Sequence, residues 1–304
     1  MNRYALIDIG SNTTKVLIAE KNELGKQRFL DQHSLSCRLL SEKINESSRI
    51  SEQSIKHLLD CIAELKEKIA DWGVDHIRVV GTEALRKADN SNDIGLHFKK
   101  HTGLSLEILS GQKEAEAVAA GLRTDPNLSH IESFLALDLG GGSLELIEST
   151  NGETKQAISL PLGAVAIASQ SNTSLKSPLP EELLFQLRTY IEAQLHLKAS
   201  KFSPSPHPLI GCGGTLVFLR SLLGDSNGKD SSKICLSDLE FIMQKMFSLS
   251  LEDRIAGFPR LPADRADVFP FGLLSVACAM KFVGHKRLTH SFHNLRHGLI
   301  FQQA

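Results

Sequence analysis

The chain has 304 residues, of which 41% are hydrophobic and 23% are charged, enough for two domains with buried cores. This composition excludes a disordered chain, a collagen and a disulfide-stapled mini-protein. The formal net charge of -1 argues against a generally basic nucleic-acid binder, so we expect no nucleic-acid partner.

Neither hydropathy nor cysteine usage indicates a membrane or secreted protein. The longest apolar run, Val268 to Met280, contains Pro270 and Gly272 and falls short of the roughly 18 to 20 residues of a membrane helix. The N-terminus leads straight into a strand pattern, without the apolar stretch of a signal peptide. The five cysteines are scattered and form no CxxC pair, which predicts reduced thiols and a cytoplasmic location.

Strands and helices alternate along the first part of the chain. A strand from Tyr4 to Ile9 is followed by a glycine turn and a strand from Val16 to Ala19. Apolar residues at three- and four-residue spacings predict an amphipathic helix over 51–72, with Ser51 as its N-cap. The next predicted elements are strands at 77–80 and 104–109 and helices beginning at 84 and 112. Such alternation predicts an α/β fold.

The second part of the chain begins another round of the same kind. Strands predicted at 133–139 and 144–147 flank the turn Gly140-Gly141-Gly142. The elements predicted beyond them are helices over 180–197, 215–223, 268–283 and 292–302, and loops at 171–180 and 201–208.

An internal repeat is the most informative feature of the sequence. The segment from Asp8 to Leu17 matches the segment from Asp138 to Ile147, 130 residues later. Both have Asp, an apolar residue, Gly, two small or polar residues, Ser or Thr, a spacer, a charged residue and two apolar residues. Each copy therefore opens one of two related domains, which we expect to face each other across a cleft.

The two glycine turns have the chemistry of phosphate loops. Backbone N–H groups that converge at a turn bind phosphate oxygens, and glycine permits the close approach and any positive φ angle that the turn demands. Ser11, Thr13 and Ser143 add hydroxyl donors. Asp8 and Asp138 would need a cation beside a phosphate, which suggests Mg²⁺. One copy alone could equally be a flexible hairpin, and the matched pair favours phosphate binding.

Several further residues allow either a functional or a structural interpretation. The turn Gly211 to Thr215 could line a nucleotide or be a close-packed crossover. Arg86 follows a strand end, where it could bind phosphate, or it could be a solvated helical arginine. Glu114 or Glu116 could face the site, or be ordinary acids of a first helical turn. His293 and His297 have the spacing of a two-histidine metal site, but no nearby acid completes it, which favours a structural role.

As a set, these motifs resemble the exopolyphosphatase/guanosine pentaphosphate phosphohydrolase (Ppx/GppA) family, within the superfamily of sugar kinases, Hsp70 and actin. The matching segments occur in family order and are 7–12, 81–86, 110–115, 138–145, 160–163, 211–215, 265–270 and 295–298. The resemblance implies two ribonuclease H-like domains, which we place at 1–122 and 123–304, with a C-terminal helix at 291–304 that packs back onto the first. It also implies the short, two-domain form of the family.

The resemblance further implies a phosphoanhydride hydrolase that uses Mg²⁺. Glu114 falls on the catalytic glutamate, Arg86 on the phosphate-handling arginine, and Asp138 and Glu145 on the metal-site acids. The residues implied in phosphate or substrate binding are Asp8, Gly10, Ser11, Asn12, Thr13, Gly140, Gly141, Gly142, Ser143, Gly213, Gly214 and Thr215. The implied substrates are inorganic polyphosphate and guanosine pentaphosphate, and a homodimer is compatible with the sequence.

Several positions depart from the family pattern and put the substrate preference in question. Lys113 stands where the family usually has an acid, and Glu116 where it usually has an arginine. The segment from Ala164 to Ser169 is more apolar than usual. Two other functions therefore stay open: an ATP-dependent kinase or ATPase of the same superfamily, and a non-catalytic sensor that binds polyphosphate or guanosine polyphosphates.

Overall fold

A computed structural model describes residues 2–39, 49–171, 174–224, 232–300 and 302. The chain divides into two compact units, the first formed by Met1–Thr124 with Leu295–Ala304 and the second by Asp125–Asn294. Among the described residues, no helix combines the length and the apolar character that crossing a membrane requires.

The first unit is built on a five-stranded mixed sheet with the order β3-β2-β1-β4-β5. Its strands are β1 (Asn2–Ile9), β2 (Thr13–Lys21), β3 (Gln27–Ser36), β4 (His76–Gly81) and β5 (Leu106–Ile108). Its helices are α1 (Glu52–Ala70), α2 (Glu83–Lys87), α3 (Ser91–Thr102), α4 (Gly111–Arg123) and α11 (Leu295–Leu299). Strand β1 pairs antiparallel with β2 and parallel with β4, so the predicted hairpin and α/β alternation are confirmed.

Helix α1 shows how the sequence pattern sets the core of this unit. Ser51 is the N-cap, and its hydroxyl accepts a hydrogen bond from the Ser54 amide, which confirms the predicted helix start. The buried side chains of α1 recur at three- and four-residue spacings and pack against one face of the sheet. These residues are Leu58, Cys61, Ile62, Leu65 and Ile69.

The second unit has a six-stranded mixed sheet with the order β10-β11-β9-β6-β7-β8. Its strands are β6 (Phe134–Leu139), β7 (Leu144–Thr150), β8 (Glu153–Leu160), β9 (Leu209–Cys212), β10 (Lys233–Cys235) and β11 (Arg287–His290). Its helices are α5 (Ala164–Gln170), α6 (Glu181–Ala199), α7 (Gly214–Leu223), α8 (Leu236–Phe247), α9 (Leu251–Gly257) and α10 (Phe269–Phe282). Strand β6 repeats the role of β1, since it pairs antiparallel with β7 and parallel with β9.

Helix α10 accounts for the longest apolar run of the sequence. Every residue from Phe269 to Met280 is buried, and Pro270 lies in the first turn, where its missing N–H costs no helical hydrogen bond. The run is therefore the central helix of the second unit. The apolar segment that begins at Ala164 forms α5, which packs against α10.

The structure differs from the sequence prediction at several elements. Strands β3, β8, β10 and β11 were not predicted, because edge strands and very short strands carry little apolar alternation. The last helix spans Leu295–Leu299 rather than 292–302. The loop predicted at 171–180 includes residues 172 and 173, and the C-terminal segment includes 301, 303 and 304, which lie outside the described residues.

Candidate phosphate-transfer site

The carboxyl ends of three parallel strands gather the predicted residues of the first unit. Ile9 of β1 is in register with Gly81 of β4, and Gly81 is in register with Ile108 of β5. The segments that follow these strands are the first glycine turn, the turn into α2 and the turn into α4, so they leave the sheet at one edge. Thr82 strengthens this edge, because its backbone amide donates to the Ile9 carbonyl at 3.2 Å.

The first glycine turn, residues 10–13, is a tight hairpin whose carbonyl groups are already engaged. The Gly10 amide donates to the Thr13 carbonyl at 3.0 Å and closes the turn. The Ser11 and Asn12 carbonyls accept from backbone amides of the segment that follows β3, each at 3.0 Å. All three residues from Ser11 to Thr13 are buried. An approaching phosphate would therefore meet amides and hydroxyls of this turn rather than bare carbonyl oxygens.

Arg86 and Glu114, predicted from separate motifs, form a partly buried ion pair. The Arg86 Nη1 donates to Glu114 Oε2 at 2.9 Å and to the Leu109 carbonyl at 2.8 Å, while Nη2 donates to Glu83 Oε2 at 2.7 Å. Burial would lower the pKa of the Arg86 guanidinium, but the Glu114 and Glu83 carboxylates outweigh it and raise that pKa. Glu114 is 8% exposed, and its carboxylate is oriented by a cation that also contacts Glu83.

Asp8 lies among basic side chains of its own unit. Burial raises the pKa of its carboxyl, while the charges of Lys15 and Arg296 act in the opposite direction. Lys15 is its direct neighbour across the β1–β2 ladder. Arg296, on α11, donates from Nη1 to the Val16 carbonyl at 3.1 Å. Burial outweighs these charges, so the pKa of the Asp8 carboxyl is raised, and its Oδ1 is buried without a hydrogen-bond partner among the described residues. A cation at Asp8 therefore stays a prediction.

The second glycine turn, residues 140–143, reproduces the geometry of the first. The Gly140 amide donates to the Ser143 carbonyl at 3.0 Å, the same closing bond as in the first turn. The carbonyls of the three glycines accept from backbone amides of 163–166, at the start of α5. A side chain at Gly163 would overlap the backbone of Gly141 and Ser143, so the tight fit of this segment requires glycine there. The internal sequence repeat therefore corresponds to the same closing hydrogen bond in both glycine turns.

The two copies of the repeat differ in the charge opposite the aspartate. Asp138 faces Glu145 across the β6–β7 ladder, where Asp8 faces Lys15 in the first unit. Directly opposed residues have Cβ atoms about 5 Å apart. Glu145 is buried, and its Oε1 accepts from the Ser159 hydroxyl at 2.7 Å. The hairpin of the second unit therefore presents two facing carboxylates, where the hairpin of the first unit presents a carboxylate and a lysine.

This pair of carboxylates fits Mg²⁺ better than any other feature that was predicted to bind metal. Mg²⁺ is commonly held by one or two carboxylates, with water and substrate phosphate completing its octahedron. Within the part of the chain that the structure describes, no group of three or more His, Cys, Asp or Glu side chains could hold a metal. Asp138 and Glu145 could thus hold the ion only together with water or substrate oxygens.

The third glycine turn lies directly against the second phosphate loop. Gly213 has a φ of 100°, and a Cβ at this position would overlap the Leu139 carbonyl and lie 2.7 Å from Asp138 Oδ1. Gly213 precedes α7, in which Thr215 is buried and packs its hydroxyl towards Gly272 of α10. A side chain at Gly211 would overlap Leu216. Close packing of a strand-to-helix crossover therefore accounts for Gly211 and Thr215, while Gly213 contacts the predicted metal-site aspartate.

The structure bears on three expectations from the sequence, which concern the glycine φ angles, the two glutamates of α4 and His297. Neither Gly10 nor Gly140 has a positive φ, so close approach in a tight hairpin, and not the left-handed region, is the reason for glycine there. Glu116 is exposed and accepts from Gln112 Nε2 at 2.8 Å, whereas Glu114 is buried beside Arg86. His297 is buried and packs edge-on against Phe29, which agrees with a structural role.

Four charged residues of these sites were missed from the sequence. Glu83 could have been found, because it lies three residues before Arg86 on the same helix. Lys15 could have been recognised from its position opposite Asp8 in the hairpin. Arg296 lies in the family-matching segment 295–298 but was not named as a site residue. Arg38, whose Nε donates to Asn12 Oδ1 at 3.1 Å, comes from a segment with no local signal.

Comparison with known proteins identifies a family whose sequence model matches most of the chain. The sequence model of a family described as the Ppx/GppA phosphatase family matches residues 17–304, a range that begins after the first phosphate loop. A guanosine-5'-triphosphate,3'-diphosphate pyrophosphatase of Aeromonas hydrophila is 28% identical over 299 residues, which cover 98% of this chain. The chain spans only 58% of the length of that relative.

Two further similarities extend over nearly the whole chain. Exopolyphosphatase 1 of Mycobacterium bovis is 25% identical over 307 residues, covering 99% of this chain and 88% of the relative. The crystal structure of an exopolyphosphatase from Cytophaga hutchinsonii superposes with a TM-score of 0.87 at 22% identity, covering 99% of this chain and 97% of that one. The structural match shows a shared α/β fold.

Proposed function

Because the chain belongs to the Ppx/GppA phosphatase family, we propose that it is a hydrolase that removes terminal phosphate from inorganic polyphosphate, the 5′ γ-phosphate from guanosine pentaphosphate, or both. The observation that carries the proposal is the ion pair between half-buried Arg86 and buried Glu114. Phosphoryl transfer needs a group that positions the nucleophile and a cation that stabilises charge on the transferred group. In this pair, Glu114 is the group that can position the nucleophile, and Arg86 is the cation beside it.

In the proposed reaction, Glu114 orients a water molecule and accepts its proton during in-line attack on the terminal phosphorus. Arg86 binds the oxygens of the transferred group. Each glycine turn supplies amide donors for phosphate oxygens of the substrate. Asp138 and Glu145 would hold Mg²⁺, which supplies positive charge next to phosphate oxygens when it is bound. Most of the acceleration comes from positioning and electrostatics, since water attacks without a covalent enzyme intermediate.

The proposed location is the cytoplasm. All five cysteines are free thiols, the state that a reducing compartment maintains. Burial raises the pKa of Cys37 and of Cys278 to about 12, so neither is a reactive thiolate.

The proposal is tested by phosphate release in the presence of Mg²⁺. Short polyphosphate, long polyphosphate, guanosine pentaphosphate and ATP are compared as substrates for the wild type, Glu114→Gln and Glu116→Gln. We expect Glu114→Gln to lower kcat on the order of 100-fold or more because the water loses its base. Glu116→Gln is the matched control on the same helix and should stay within about twofold, because side chains two positions apart do not share a helix face.

The alternatives predict different results in the same assay. Normal turnover by Glu114→Gln would refute the assigned role of this glutamate. Phosphate transfer from ATP to an acceptor would indicate a kinase of the same superfamily. Binding of polyphosphate or guanosine pentaphosphate without any turnover would indicate a sensor.

A further inference from the structure

The segment after β3 covers the carbonyl side of the first phosphate loop. The backbone amides of Cys37 and Leu39 donate to the carbonyls of Asn12 and Ser11, both at 3.0 Å. A carbonyl oxygen that faced a phosphate would repel it, so this contact leaves the loop with its amide and hydroxyl groups as the face for an anion. The residue between the two amides is Arg38.

Arg38 is fixed in place by its neighbours. The side chains of Cys37 and Leu39 are 1% and 2% exposed and anchor the segment on both sides. Side chains alternate along an extended segment, so Arg38 projects to the other side, where it is half-buried. There its Nε donates to Asn12 Oδ1 at 3.1 Å, which ties the guanidinium to the phosphate loop itself.

We propose that Arg38 is a further phosphate-binding residue, which acts with Ser11, Asn12 and Thr13 on a phosphate group of the substrate. A guanidinium presents a planar fork of N–H donors that matches phosphate oxygens, and the bond to Asn12 holds this fork beside the turn. The proposal rests on the proposed function in one respect, namely that this turn binds phosphate. Arg38 supports binding rather than the chemical step, because its partner Asn12 belongs to the loop and not to the Arg86–Glu114 pair.

The first test separates binding from turnover. Arg38→Met, Arg38→Lys and the control Arg28→Met are assayed for phosphate release from short polyphosphate with Mg²⁺. Arg28 lies on the same strand-to-loop segment, is 74% exposed and pairs with Glu20, so its loss changes the net charge equally. Loss of a charge-assisted hydrogen bond predicts that Arg38→Met raises KM roughly tenfold with kcat within about twofold. Arg38→Lys should recover part of the affinity, and Arg28→Met should match the wild type.

The second test needs no activity. Calorimetry measures tripolyphosphate binding, with Mg²⁺ present, to Glu114→Gln and to the double variant Glu114→Gln/Arg38→Met. A roughly tenfold higher Kd for the double variant supports Arg38, even if the wild type releases no phosphate and the proposed hydrolysis fails. Equal Kd values, no binding by either protein, or an Arg38→Met variant that loses kcat at unchanged KM would each overturn the inference. Fluorescence of Trp72, the single tryptophan of the chain, verifies that the first unit of each variant is folded.

Discussion

Removal of the Arg86 guanidinium should shift the acid limb of the pH–rate profile upward. Arg86 bonds both Glu114 and Glu83, which are 8% and 6% exposed, so Arg86→Met leaves two buried carboxylates that share no cation. The Arg86–Glu114 contact at 2.9 Å brings the two charge centres to about 4 Å, where an attraction at an effective dielectric constant of about 20 is worth roughly 4 kcal/mol. Arg86→Met removes this attraction and leaves the repulsion from Glu83, which disfavours the charged form of the Glu114 carboxyl and moves the acid limb to higher pH. Lys87, which pairs with Glu83, partly offsets that repulsion.

The coupling to Glu83 makes this prediction specific. The assay is kcat/KM against pH for wild type, Arg86→Met, Glu83→Gln and the double variant, on the substrate that the wild type hydrolyses. Glu83→Gln removes a negative charge beside Glu114 and leaves Arg86 in place, so its limb should move to lower pH, opposite to the shift in Arg86→Met. In the double variant, loss of Arg86 should still move the limb upward relative to Glu83→Gln, because the attraction to Glu114 is lost there as well.

A second measurement of the same coupling does not depend on turnover. The free energy of unfolding of the first unit, followed by Trp72 fluorescence, should fall more on Arg86→Met in the wild type than in the Glu83→Gln background. An acid limb that stays in place in Arg86→Met, or that moves to higher pH in Glu83→Gln, would refute the argument from these charges.

Two further predictions concern stability. Gly298→Ala should lower the free energy of unfolding of the first unit by about 1–3 kcal/mol or more, because its Cβ would overlap backbone atoms of α4. Gly95→Ala, inside α3 with open space around it, should instead raise this free energy by about 0.5–1 kcal/mol. Trp72 fluorescence in urea measures both, and a Gly298→Ala protein as stable as the wild type would contradict the packing of α11 on α4. Burial, and to a lesser extent the charge of Arg220, lower the pKa of His290 to about 4 in the folded protein, below the ordinary 6.5. The folded protein thus favours the neutral imidazole, and the stability that this preference gives is complete above pH 6.5 and is lost as the pH falls towards 4. Between pH 7.5 and 4.5 the wild type should therefore lose roughly 2 kcal/mol more than His290→Gln in denaturant unfolding followed by circular dichroism, and equal losses would show that His290 titrates normally.

Some features of the site could be recognised only partly from the sequence. The motifs around Arg86 and Glu114 predict two residues at strand ends, but not that they bond each other, since 28 positions separate them along the chain. The aspartates of the two repeats looked equivalent as metal ligands. The strand ladders distinguish them, because Asp8 faces Lys15 and Asp138 faces Glu145.

The sequence by itself determined the features that depend on neighbouring residues: the α1 periodicity, the Ser51 cap, the apolar α10 and the two glycine hairpins. Each follows from periodic burial or from hydrogen bonds within a few positions, so a local pattern suffices. Only the tertiary structure decided which distant segments complete the sites. Arg38 reaches Asn12 across 26 positions, and Arg296 reaches Val16 across 280. Such contacts depend on how strands and helices pack, and packing brings together residues whose local sequences carry no sign of each other.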